Sequence, residues 1–268
     1  MKTLRYALFP LLLVLLAACG QQPDAPPLPT AQPGAGAPGS QAVHPDPVEG
    51  QRYVRVSNPA PYQPEDGKIE VVEIFGYTCG ACAGFEPVLD SWQQRQPDDV
   101  RLTLLAAPFG GYWEPYAKAY YAADSLGLAE ATHKAMFDAI HFSRSLPVNG
   151  ATTEAISAFY ATHGADAREF ARTMEGFGVS GQMRRARQFV DRVGADSTPA
   201  MVVNGKYLVV PGQQYDDVLR TVDYLVALER GANAAQGPVA EAGADPDPAA
   251  DGTAETAEDD PAGDSDPQ

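Results

Sequence analysis

Val71-Val72-Glu73-Ile74-Phe75-Gly76-Tyr77-Thr78-Cys79-Gly80-Ala81-Cys82 decides how this chain is read. Its first half is apolar and β-branched, the pattern of a buried strand. Gly76 to Cys79 reads as a turn, and Cys82 to Gln94 as a helix carrying Phe85, Glu86, Val88, Leu89 and Trp92, with a kink expected at Pro87. The two cysteines therefore stand at a strand-to-helix junction. There the first thiol meets unpaired backbone amides and the positive end of the helix dipole, which stabilise a thiolate. A thiolate is the species that attacks disulfides. The pair reads as a redox couple and not as a structural bridge. A zinc half-site is the alternative, but tetrahedral zinc wants four ligands. The chain has no second cysteine pair, and His44, His133, His141 and His163 are scattered without ligand spacing. Those histidines read as surface or core residues.

Outward toward the N-terminus, Lys2 and Arg5 precede an apolar run from Leu8 to Leu16, and Ala17-Ala18 are small residues before a cleavage point. This is the pattern of an export signal, too short for a transmembrane helix. Its end, Leu16-Ala17-Ala18-Cys19-Gly20, resembles the bacterial lipoprotein signal. That resemblance implies cleavage before Cys19, acylation of Cys19 and, with Gly20 rather than Asp next, an outer-membrane address. The alternative is an ordinary signal peptide with a chance cysteine. The chain holds three cysteines in all. With Cys19 acylated, only Cys79 and Cys82 remain, so the exported protein is no disulfide scaffold and must fold on its core alone.

Residues 1–18 are thus expected to be signal peptide, and 19–50 a lipid attachment and disordered tether rich in Pro, Gly, Ala and Gln. Such a segment buries too little surface to offset its ordering entropy. Residues 232–268 form an acidic tail with Glu241, Asp245, Asp247, Asp251, Glu255, Glu258, Asp259, Asp260, Asp264 and Asp266 and no Lys or Arg. These carboxylates supply most of the net charge of −16, so the charge describes the tail more than the fold. The balance argues against nucleic acid as a partner.

Between these ends, Arg52 to Val56 alternates as a short strand, and Lys68 to Phe75 and Val100 to Ala106 are further strands. From Trp113 to Gly176 the pattern is helical only; Tyr112, Tyr116 and Tyr120 recur at a spacing of four. Together with Phe109 and Trp113 they read as packing against the sheet, or in part as a peptide groove. Ser180 to Val193 is a basic amphipathic helix. Ala200 to Val203 and Lys206 to Val210 flank the hairpin turn Asn204-Gly205, and Tyr215 to Arg230 closes the chain as a helix. The expected class is α/β: a thioredoxin-like fold over 51–112 and 177–231 with a helical insertion over 113–176.

At this point the sequence resembles the DsbA family of periplasmic thiol–disulfide oxidoreductases. Three features carry the resemblance: Val72-Glu73-Ile74-Phe75 with Thr78-Cys79-Gly80-Ala81-Cys82 and Phe85-Glu86; the helical block; and Ser197-Thr198-Pro199-Ala200-Met201-Val202-Val203-Asn204-Gly205-Lys206-Tyr207. It implies Cys79 as the exposed nucleophile, Cys82 as the recessed resolving thiol, and a disulfide between them. It implies a cis Pro199 that leaves the Thr198 backbone free to pair with a substrate strand, where an ordinary turn proline is the alternative. Glu73 matches the family's buried acid, which moves the Cys82 proton; a solvated edge Glu is the alternative. Glu86 matches a position near the active-site helix, with plain helix-surface solvation equally open.

The resemblance further implies no cofactor, and substrates that are unfolded or folding exported proteins with cysteine pairs; a monomer is expected because the chain shows no coiled-coil heptads. It also implies reoxidation by a DsbB-type membrane partner. Two departures stand out. Thr198 replaces the Val of many members. Gly80-Ala81 replaces the Pro-His of strongly oxidising members, so no imidazole stands by the thiolate and a weaker oxidant is expected. A disulfide reductase or isomerase, and a tethered envelope chaperone or binding module with a structural disulfide, are the rival functions; the chain shows no dimerisation domain for an isomerase. A copper carrier would need His or Met ligands beside the pair.

Overall fold

The computed structural model describes residues 45–236. Cys19, the signal segment and the tail from residue 237 onward lie outside the described residues. Five strands form one mixed sheet in the order β1-β5-β4-β2-β3. They are β1 (Tyr53–Arg55), β2 (Ile69–Phe75), β3 (Val100–Ala106), β4 (Ala200–Val203) and β5 (Tyr207–Val209). β2 and β3 run parallel, joined through helix α1 (Gly80–Gln93), with Glu73 opposite Leu104. β4 lies antiparallel to β2 and places Met201 opposite Glu73 and Ala200 opposite Ile74. β5 pairs antiparallel with β4 and with β1.

Every residue of β2 is buried, as a central strand covered on both faces must be. Ile69 and Val71 on one face pack with Phe85, Leu89 and Trp92 of α1 and with Leu219, Val222, Leu225 and Val226 of α7 (Tyr215–Gln236). Val72 and Ile74 on the other face meet the helices between β3 and β4. Those are α2 (Glu114–Ser125), α3 (Ala129–Phe137, running into a wider turn Asp138–Phe142), α4 (Thr153–Ala161), α5 (Ala167–Met174) and α6 (Phe177–Val193). Tyr116, Tyr120, Tyr160, Phe170 and Phe189 fill that second core. This is a thioredoxin-like arrangement with helices set between its third and fourth strands.

Differences from the sequence reading are local. α1 begins at Gly80, two residues earlier than the apolar spacing shows, because Cys79 caps it, and it runs unbroken through Pro87. α6 begins at Phe177, after Gly176, and not at Ser180. α7 extends to Gln236, into the segment expected to be tail. Tyr112 does not share the helical face of Tyr116 and Tyr120: α2 starts at Glu114, and Tyr112 is 45% exposed in the preceding turn. The Asn204-Gly205 turn has φ of 50° and 60° at its two central residues and a bond from the Lys206 amide to the Val203 carbonyl, 2.9 Å. Two positive φ angles are what a two-residue hairpin of this twist requires, hence Asn-Gly.

Candidate functional site

Cys79 ends the turn that leaves β2 and is the N-cap of α1, with extended backbone angles (φ −87°, ψ 112°). Its amide donates to the Gly76 carbonyl at 2.9 Å, closing the turn. Gly76 is needed there because a Cβ would lie 2.0 Å from the Trp113 ring. An N-cap side chain accepts from one of the four unpaired amides at a helix start. Here the acceptor is sulfur: the Cys82 amide donates to Cys79 Sγ at 3.2 Å. Cys79 is half-buried, Cys82 is 1% exposed, and both are free thiols.

The two thiols are displaced in opposite directions. Cys79 is lowered to about 6, first by its hydrogen bond with Cys82 and further by bonds from Thr198 and from the Cys82 and Ala81 amides, against the cost of burial. Burial pushes Cys82 far up, and its hydrogen bond to Cys79 and the nearby Glu73 and Cys79 add to this. At neutral pH the geometry thus holds one thiolate, on the accessible sulfur, and one proton, on the recessed sulfur.

The Thr198–Pro199 peptide is cis. The Thr198 carbonyl lies 3.5 Å from Cys79 Sγ. The segment before β4 therefore faces the accessible sulfur, although it is 119 residues away in sequence. Glu73 is 1% exposed in the middle of β2, and its Oε2 has no hydrogen-bond partner among the described residues. Burial first, then the charges of Glu86 and Cys79, push its carboxyl well above the ordinary carboxylate range. Its carboxyl therefore holds its proton more tightly than an ordinary carboxyl, and the solvated-edge alternative is set aside by its burial.

Sequence reading did not find three other contributors. His133, buried on α3, places Nδ1 3.0 Å from the Tyr77 hydroxyl and Nε2 3.3 Å from Glu86 Oε2. His141 Nε2 is 2.7 Å from the Tyr77 carbonyl. Tyr215, at the start of α7, donates its hydroxyl to the Ala81 carbonyl at 2.7 Å. Glu86 faces both His133 and an open cavity of about 770 Å³ whose walls include Asp90, Asp124 and Glu130. Lone histidines and tyrosines carry no local signature; only the tertiary packing brings them to the site. Among the described residues no cluster of three His, Cys, Asp or Glu side chains could hold a metal ion.

No protein-family model matches the chain. It is 36% identical over 196 residues to the thiol:disulfide interchange protein DsbA of Pseudomonas aeruginosa, covering 72% of this chain and 91% of that one. The chain belongs to the DsbA family. It is a thiol:disulfide oxidoreductase. DsbA of Azotobacter vinelandii is 35% identical over 199 residues, with the same coverage. Among solved structures, DsbA from Xylella fastidiosa matches with a TM-score of 0.67 at 46% identity, covering 69% of this chain and 98% of that chain. The crystal structure of Pseudomonas aeruginosa DsbA matches with a TM-score of 0.64 at 36% identity, covering 69% and 95%.

Proposed function

We propose that this DsbA-family protein oxidises cysteine pairs in exported proteins, with Cys79 as the accessible sulfur that bonds to substrate and later leaves, and Cys82 as its recessed partner. The observation that carries this is the opposed displacement of the two thiols about one hydrogen bond from the Cys82 amide to Cys79 Sγ. A substrate thiolate attacks Cys79 of the disulfide form; a substrate–Cys79 bond forms and the Cys79–Cys82 bond breaks. Cys82 leaves as a thiolate that the site holds poorly, and Glu73, a buried acid with a raised pKa, gives it a proton. A second substrate thiolate then attacks the substrate sulfur of the mixed disulfide, and Cys79 leaves as the stabilised thiolate. Two electrons pass from the substrate pair to the protein pair. Glu73 regains its proton by way of Glu86 and the open cavity beside it.

Thr198 and Pro199 present the free backbone edge on which an extended substrate segment pairs beside Cys79. Tyr112, exposed near Trp113 and Phe109, offers apolar surface to unfolded chains. The reading includes export through residues 1–18, anchoring through acylated Cys19 in the periplasm, with the outer membrane favoured, and reoxidation by a DsbB-type membrane protein. It also includes a monomer, a thioredoxin-like domain over 51–112 and 177–231, and a helical insertion over 113–176. Metabolic labelling with palmitate, lost in Cys19→Ala, tests the anchor.

The test of function is the equilibrium of the Cys79/Cys82 disulfide with glutathione. A potential well above that of cytosolic thioredoxins, about −270 mV, supports oxidation of exported thiols. A potential at or below that value overturns it in favour of a reductase.

A further inference from the structure

The Gly80-Ala81 dipeptide has no polar side chain, yet its backbone is gripped from the far end of the chain. Tyr215 Oη donates to the Ala81 carbonyl at 2.7 Å. The amide on the other side of that same peptide unit, Cys82 N–H, donates to Cys79 Sγ at 3.2 Å. Phenol and sulfur are therefore the two ends of one hydrogen-bond chain running through a single peptide group: Tyr215 O–H to Ala81 C=O, and Cys82 N–H to Cys79 Sγ.

We propose that Tyr215 is a positioning residue that tunes the Cys79 thiolate through the Ala81–Cys82 peptide. A bond accepted by a carbonyl polarises its peptide unit and makes the N–H at the other end a stronger donor, by roughly 10–30% per bond. The effect falls on the one amide that holds the reactive sulfur, and a bond to a charged acceptor is the kind most worth strengthening. The approach is built into the packing. The Tyr215 ring lies on Phe85, centroids 5.1 Å apart. Gly84 leaves room for the hydroxyl: a Cβ there would stand 3.1 Å from Tyr215 Oη. Burial first, and then Cys79 and Cys82, raise Tyr215's own pKa, so the phenol lies within electrostatic reach of both sulfurs. Here a hydrogen bond from α7 reaches the backbone of a dipeptide that has no polar side chain of its own.

The proposal rests on Cys79 being the stabilised thiolate of the pair, as the proposed function has it, and its test separates the two. Tyr215→Phe keeps the ring on Phe85 and removes only the hydroxyl. With the full chain, the Cys79 thiolate absorbance is titrated, the glutathione equilibrium measured and the Cys82 amide proton followed by NMR. The expected result is a Cys79 pKa raised by about 0.5, an equilibrium shifted about threefold toward the disulfide form, about 14 mV, and an upfield Cys82 amide proton. Gly84→Ala, which crowds the hydroxyl without removing it, shifts the same three readouts in the same direction. If Tyr215→Phe leaves the pKa and the Cys82 amide unchanged, Tyr215 only packs, and the proposal is overturned. If the unaltered protein shows no thiolate titrating near 6 and no exchange with glutathione, the reading of Cys79 itself falls, and the relay with it.

Discussion

Replacing Glu73 by Gln changes the pH dependence of stability more than stability itself. The carboxyl is fully buried in β2 between Leu104 and Met201, with one oxygen unpartnered among the described residues. Its pKa is raised well above the ordinary range, chiefly by burial and then by Glu86. The unfolded chain releases that proton near the usual carboxyl pKa, and the folded chain keeps it. A raised carboxyl pKa contributes full relative stability below the unfolded value and loses it as pH rises toward the folded value. Between the unfolded and the folded value the loss runs at about 1.4 kcal/mol per pH unit. Gln is close in shape, carries no charge in either state and has no such slope. Urea unfolding from pH 4 to 8 is the assay. Glu73→Gln should match the parent near pH 4 and exceed it increasingly as pH rises toward 8, while formation of the mixed disulfide, the step in which Cys82 leaves, slows by about a hundredfold. A difference in stability that stays flat across the range would mean that Glu73 ionises inside the fold, and its role as proton donor to Cys82 would be refuted.

Cys79→Ala should abolish exchange with glutathione and peptide dithiols, whereas Cys82→Ala should accumulate the mixed disulfide on Cys79, visible by mass spectrometry as one added substrate. Gly205→Ala should destabilise by at least about 1–3 kcal/mol in chemical unfolding, since Gly205 has φ of +60° and a Cβ would stand 1.9 Å from the Ala60 carbonyl oxygen.

Much of the fold could be read along the chain because its signals are local. Val100–Ala106 and Ala200–Val203 were delimited correctly, each bounded by a proline one or two residues away and filled with apolar residues. The burial of Glu73 follows from its flanks, Val71-Val72 and Ile74-Phe75, which leave no solvent face in a central strand. The start of α1 was misplaced because Gly80 and Ala81 show no apolar period; what begins the helix is a sulfur cap, which periodicity does not record. Tyr215 and Ala81 are 134 residues apart, and His133 meets Tyr77 across 56. Such pairs arise from helix docking, which fixes which polar tips converge only after the apolar faces have packed.

A dipeptide without an ionisable side chain makes the potential's own pH dependence a direct readout of this site. Forming the dithiol from the disulfide takes two electrons and as many protons as the reduced form binds. Below the Cys79 pKa of about 6 both sulfurs are protonated. Above it only Cys82, held far up by burial, takes a proton. A two-electron couple shifts by about 30 mV for each tenfold change. The potential should therefore fall by about 59 mV per pH unit below pH 6 and by about 30 mV per unit from there through pH 8. Glu73 adds nothing to either slope if burial keeps it protonated in both redox forms. A slope that stays near 59 mV through pH 8 would show that Cys79 retains its proton, and that the backbone donors around it, Cys82 N–H among them, do not hold a thiolate. An extra break in the slope above pH 6, absent in Glu73→Gln, would instead locate a proton that Glu73 gains or loses with the redox state.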